Sequence, residues 1–186
     1  MLRVVATVIL AIWSFGMVTR SELQKSSADH VLRDAERQAV SQRKKILLVF
    51  GASWCEPCRE FDAFLDDQKI RSVLVSHFAI ARLTAGEEVQ NHPELNSPGA
   101  EDLMVKFGGA TSGLPFTVVL DAKGNMIINS NRPVKGTAQT INMGYPSKPA
   151  GIPWFMLMLR KGAPSLSESE LRMMEEWLLS HPDSGN

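Results

Sequence analysis

At 186 residues and 44% apolar composition, the chain has the length of one domain and enough apolar content for a real core. Its 20 basic and 20 acidic residues cancel, and no basic cluster stands out, so the electrostatic footprint of a nucleic-acid binder is absent. Function is expected from a local site rather than from a global field.

Residues 1–20 read as a signal peptide or a membrane anchor. Arg3 precedes an uncharged, mostly apolar stretch, 4–18, which ends at Thr19-Arg20. The apolar region of a secretory signal runs ~7–15 residues, whereas a spanning helix needs about 20. Ser14 and Gly16 offer small residues near a cleavage point, although they match the small-x-small rule imperfectly. An uncleaved anchor is the alternative, and either reading places the following domain outside the cytoplasm. Residues 21–27 form a polar linker, 28–180 the domain and 181–186 a short tail.

Within the domain, Val31, Leu32, Ala35, Ala39 and Val40 recur at helical spacing over 28–44, with Ser27 as N-cap. The short, uniformly apolar run 46–50 is a buried strand of the kind found mid-sheet. A helix opening in the run Ser53-Trp54-Cys55-Glu56-Pro57-Cys58 carries Phe61, Phe64 and Leu65 on one side and extends to about Asp67. Residues 77–83 read as a half-buried strand and 87–99 as a loop without apolar rhythm. Pro98 starts a short helix through Met104, Val105 and Phe107, closed by Gly108-Gly109. Residues 116–120 and 126–128 form a β-hairpin whose turn places Gly124 at the tight position. The turn-rich stretch 129–149 receives no assignment. One helix over 151–161 turns Trp154, Phe155, Met158 and Leu159 inward, and another starts at the capping box Ser167-Glu168-Ser169-Glu170. This order predicts an α/β domain: a central mixed sheet flanked by helices, an antiparallel hairpin at one edge and an extra C-terminal helix.

The only two cysteines, Cys55 and Cys58, stand three apart at the strand-to-helix junction. A thiol there meets unpaired backbone N–H groups and the positive end of the helix dipole, which favour the thiolate. A second thiol one turn on can capture the first in a disulfide. A bridge across two intervening residues constrains the unfolded chain little, so the pair makes a poor staple and a good redox couple. Zinc needs about four ligands; no second thiol pair exists, and His77 and His92 lack the spacing of a finger. No metal and no cofactor are expected beyond the dithiol. Met156, Met158, Met173 and Met174, which copper would suit, sit at helical spacing among Leu and Trp and read as core.

The stretch from Val49 through Cys58 resembles the active-site segment of the thioredoxin superfamily: buried strand, small-residue turn, Trp, then the dithiol opening a helix. The second mark of that superfamily is a Pro before the hairpin strand, normally cis and facing the dithiol, and Gly113-Leu114-Pro115-Phe116 sits where it should. The resemblance spans about 46–161 and implies a thioredoxin fold. Arg59-Glu60-Phe61-Asp62 and the Glu56-Pro57 dipeptide are similar to exported electron relays, the TlpA-like proteins and the C-terminal domain of DsbD, including membrane-tethered reductases serving cytochrome c maturation. That likeness implies a bacterial, periplasmic thiol–disulfide oxidoreductase acting on protein disulfides and supplied by an upstream, membrane-bound electron donor. Thioredoxins carry a buried acid six residues before the first Cys; here that position is Val49, and Glu60 or Asp62 is the candidate for proton transfer.

Roles follow from these placements. Cys55 is the nucleophile, near the surface, and Cys58 is the resolving thiol one turn inside. Glu56 beside Cys55 opposes the thiolate and argues for a reductant; a Glu56 that points into solvent removes that argument. Trp54 forms an apolar rim, Pro57 shapes the motif, and Leu114 and Pro115 offer backbone for strand-like pairing with substrate. The alternatives are an oxidase or isomerase with the same dithiol, and a non-catalytic thioredoxin-like binding module or metallochaperone.

Overall fold

The computed structural model describes residues 26–87, 92–147 and 150–182. The signal or anchor, residues 21–25 of the linker, and residues 183–186 lie outside these. Helix α1 (Ala28–Gln42) begins at Ser27, whose side chain accepts the N–H of His30, and ends at Arg43 in the left-handed region. Strand β1 (Lys45–Gly51) follows, then α2 (Glu56–Asp66), α3 (Gln68–His77) and β2 (Phe78–Thr84). After a loop containing one short 3-10 turn come α4 (Ala100–Lys106), β3 (Phe116–Leu120) and β4 (Met126–Asn129). A small second hairpin, β5 (Asn131–Pro133) and β6 (Thr140–Asn142), precedes α5 (Gly151–Gly162) and α6 (Glu168–Ser180).

The main sheet has the order β2-β1-β3-β4, with β1 parallel to β2 and β3 antiparallel to both of its neighbours. Strand β1 is central, as its unbroken apolar run requires, because residues alternate between two covered faces. Ile46, Leu48 and Phe50 face α1 and α4, joining Leu32, Ala35, Ala39, Leu103 and Phe107. Leu47 and Val49 face the other side, with α2, α3, α5 and α6 contributing Phe61, Phe64, Leu74, Phe155, Leu171 and Leu178. The turn after β3 is tied by Asp121, whose carboxylate accepts the N–H groups of Lys123 and Asn125, with Gly124 at φ +80°.

The dithiol helix rests on an aromatic cluster. Phe61 and Phe64 of α2 meet Phe155 of α5 edge-on at 5.5 and 5.7 Å, and Phe64 meets Trp177 of α6 at 5.4 Å. Such pairs contribute about 0.5–1.5 kcal/mol beyond burial, so the C-terminal helices fix the attitude of α2. Met156, Met158 and Met174 are buried in this core and Met173 packs against it. The predicted capping box of α6 is formed in full, with Ser167 and Glu170 bonded reciprocally.

Two elements lie beyond the sequence reading. Helix α3 is set by Asp67, whose carboxylate accepts the N–H groups of Lys69 and Ile70, and by Ile70 and Leu74 turning inward. Ten residues with two fully buried apolar positions give too weak a period to stand out. The β5–β6 hairpin falls in the unassigned stretch; Trp154 borders it, donating its indole N–H to the Asn129 carbonyl at 3.0 Å.

Candidate functional site

Cys55 is the N-cap of α2, and its Sγ accepts the N–H of Cys58 at 3.2 Å. Glu56 and Pro57 form the first helical positions; a proline there loses no helical hydrogen bond. The two sulfurs are joined as a disulfide with 5.2 Å between the Cα atoms. The exposure predicted for Cys55 is corrected: it is 2% exposed, against 6% for Cys58. The reason is a cover from a distant loop, because Leu114 packs against Ala52, Cys55 and Cys58. Helix position, not exposure, is what distinguishes the two sulfurs.

One flank of the pair is the 113–115 loop. The Leu114–Pro115 peptide is cis. Among the described residues, neither the N–H nor the C=O of Leu114 is engaged in a backbone hydrogen bond. Asn142, at the end of β6, donates from Nδ2 to the carbonyls of Gly113 (2.7 Å) and Pro115 (3.0 Å). The loop is thus held on both sides of Leu114 by one side chain that sequence reasoning missed. A groove of about 700 Å³ runs beside it, bounded by Pro57, Leu114, Ile141, Asn142 and Gly144. Trp54, half exposed, stands on the other side of Leu114 and donates its indole N–H to the Gly86 carbonyl at 2.9 Å.

The opposite flank is a partly open cavity of about 370 Å³ lined by Cys58, Asp62, Arg82, Glu87 and Val49, among others. Val49 lies in register with Arg82 on β2, so the site departs from the superfamily pattern by an apolar residue beside a cation. Asp62, one helical turn after Cys58, accepts from Nε of Arg82 at 3.1 Å, and Asp66 accepts from the same guanidinium at 2.9 Å. Burial pushes the Asp62 carboxyl up; Arg82 opposes that shift and the charge of Asp66 adds to it. The guanidinium of Arg82, bonded to Asp66, holds that second carboxyl below the usual range. Asp62 therefore shares a cavity with Cys58, whereas Glu60 does not line it. Glu56 is exposed at the start of α2, the placement that weakens its hold on the thiolate.

A central sheet of this order, covered by helices on both faces, with a Cys-x-x-Cys pair capping a helix and a cis-proline loop against it, defines a thioredoxin fold carrying the site of thiol–disulfide exchange. The thioredoxin-like family model matches residues 29–122, half of the chain, and the chain belongs to that family. Among solved structures it is similar to a disulphide isomerase from Xylella fastidiosa Temecula1, with 20% identity and a TM-score of 0.46 over 80% of this chain and 86% of that one. It is similar to DsbH oxidoreductase at 15% identity and a TM-score of 0.41, covering 81% of this chain and 85% of that one. A thioredoxin-fold protein from Helicobacter pylori matches at 16% identity and a TM-score of 0.39, over 74% and 85% of the two chains. No curated protein sequence matches the chain.

Proposed function

We propose that this protein reduces disulfides in other proteins outside the cytoplasm. The thiolate of Cys55 attacks one sulfur of a substrate disulfide; that bond forms as the substrate S–S bond breaks, and the second substrate sulfur leaves as a thiolate. Cys58 then gives its proton to Asp62 through the shared cavity and attacks Sγ of Cys55. The mixed disulfide breaks, the remaining substrate thiolate departs, and the Cys55–Cys58 disulfide carries away the two electrons' worth of oxidation. The observation that carries this reading is the position of Cys55 as N-cap of α2, with its sulfur already accepting a helix N–H.

The unengaged backbone of Leu114 supports substrate pairing as an added strand, with affinity from main-chain bonds rather than from sequence. The direction rests on the acidic groups of the cavity, Asp62 and Glu87; the exposed Glu56 adds little to it. Negative charge there disfavours the thiolate and so the reduced form, which makes the couple reducing. A reductant of this kind needs an upstream donor to regenerate the dithiol, and the apolar 4–18 stretch supports export or a membrane tether. Insulin reduction with dithiothreitol as donor, together with a glutathione redox titration, tests the proposal. Catalysed insulin precipitation and a thioredoxin-like potential are expected. A potential near about −120 mV, that of a strong disulfide donor, would replace the reductase with an oxidase, and no exchange at all would leave a binding module.

A further inference from the structure

Glu87 is the one charged side chain buried among the described residues, at 5% exposure. It sits just beyond β2, in a loop whose sequence shows no apolar rhythm. Its Oε1 accepts the backbone N–H of Ser53 and its Oε2 accepts the Ser53 hydroxyl at 3.0 Å. Both carboxylate oxygens are thereby engaged by one residue, Ser53. The main chain of Glu87 is itself clamped, its N–H donating to Oδ1 of Asn96 at 3.1 Å and its carbonyl accepting from Nδ2 at 3.0 Å. Arg59 of α2 completes the hold on Ser53 by donating to its carbonyl at 3.2 Å. Ser53 stands two residues before Cys55, so these bonds set where the strand hands over to the helix cap.

We propose that Glu87 is a positioning residue of the dithiol: it holds Ser53 so that Cys55 caps α2, and its buried charge on the cavity beside Cys58 biases the pair against thiolate. The other charged groups on that cavity are Arg59 and Asp62 from α2 and Arg82 from β2. Arg82 is engaged by Asp62 and Asp66, and Arg59 by the Ser53 carbonyl, so neither cation is bonded to the Glu87 carboxylate. Glu87 takes no part in the covalent steps. It acts on the reduced form, which must shed protons before either sulfur can attack, and so it sharpens the direction argued above and rests on Cys55 being the attacking thiol.

The test compares Glu87→Gln with Glu87→Ala in the reduced protein. Glutamine keeps an acceptor for the Ser53 N–H and removes the charge. Iodoacetamide alkylation of Cys55, followed against pH by mass spectrometry, is expected to run about three- to tenfold faster in Glu87→Gln below the thiol inflection, a downward move of about half to one pKa unit. Hydrogen exchange at the Ser53 amide is expected to stay slow in Glu87→Gln and to become fast in Glu87→Ala. If Glu87→Ala does not fold, the Glu87→Gln alkylation profile alone decides. A profile unchanged from the natural protein overturns the charge bias, and equal amide protection in both variants overturns the clamp. Alkylation of Cys58 ahead of Cys55 in the natural protein would instead overturn the proposed function on which this rests.

Discussion

The two flanks of the dithiol are built on opposite plans. On the cavity side, charged groups are fixed by polar bonds: Asp62 on α2 to Arg82 on β2, and Glu87, in the loop after β2, to Ser53. On the loop side the contacts are neutral, with Leu114 against the sulfurs and Asn142 tying the 113–115 loop to β6. The cavity side falls inside the span matched by the thioredoxin-like family, residues 29–122, while Asn142 lies beyond it. The contrast separates two tasks. Under the proposed function, one flank would manage protons and charge on sulfur, and the other would decide what reaches the sulfur.

The largest expected effect comes from disabling the resolving sulfur, which both flanks serve. Cys58→Ser should abolish turnover and accumulate covalent adducts through Cys55 that dithiothreitol dissolves, read on non-reducing gels. If no adducts form although Cys55 remains alkylatable, the exchange mechanism fails. The next effect belongs to the cavity side. A positioned proton acceptor contributes about 10²–10⁴-fold, and water partly replaces this half-exposed one, so Asp62→Asn should slow resolution of the mixed disulfide by about tenfold or somewhat more. The sign of its pH dependence follows from the raised carboxyl. As pH falls through that raised value Asp62 takes up a proton and can no longer accept one, so resolution slows above the ordinary carboxylate range. Asp62→Asn should lose that inflection, and Arg82→Gln should move it upward, because Arg82 opposes the upward shift. Stopped-flow resolution rates between pH 4 and 8 check both; an inflection that survives Asp62→Asn assigns the proton to another group.

On the loop side, Asn142→Ala removes two N–H···O bonds, each worth about 0.5–1.5 kcal/mol net. The expected loss is about tenfold in kcat/KM for a protein disulfide, carried by KM, with little change for a small aromatic disulfide. Equal losses for both substrates would make Asn142 a residue of the general fold rather than of the docking loop.

Legibility in the sequence followed the same division. Cys55, Cys58 and Trp54 were readable because a buried strand, a small-residue turn and a helix start are local patterns. Pro115 was readable from its place before the β3 hairpin. Glu87 was not, because its burial depends on a contact with Ser53, 34 positions away, and nothing near it in sequence is periodic. Asn142 reaches Pro115 across 27 positions from a stretch whose turn residues name no element. The burial of Cys55 has the same origin: a helix N-terminus favours exposure, and only the tertiary approach of Leu114 reverses it. Sequence pattern therefore located the two sulfurs, while the groups packed around them came from long-range contacts that pattern does not encode.

Leu114 offers the smallest effect and the sharpest sign. Its side chain lies against the disulfide, so a small thiol must displace it to reach Cys55, whereas a bound protein segment exchanges that contact for its own. Leu114→Ala removes three carbon atoms from the cover, each worth about 0.8 kcal/mol when fully buried, and less here because Leu114 is only partly buried. Reduction of the Cys55–Cys58 disulfide by dithiothreitol, followed by the fluorescence of the adjacent Trp54, should quicken by about threefold if about 0.65 kcal/mol of that contact is lost on approach. Turnover of a protein disulfide should fall by a similar factor, because the apolar contact is no longer offered to the substrate. Opposite signs for the two reactants distinguish a cover from a packing residue, since loss of packing alone would loosen the site and speed both. If both rates rise together, selection on the loop side resides in the backbone and in Asn142, and the side chain of Leu114 serves only to keep water from the sulfurs.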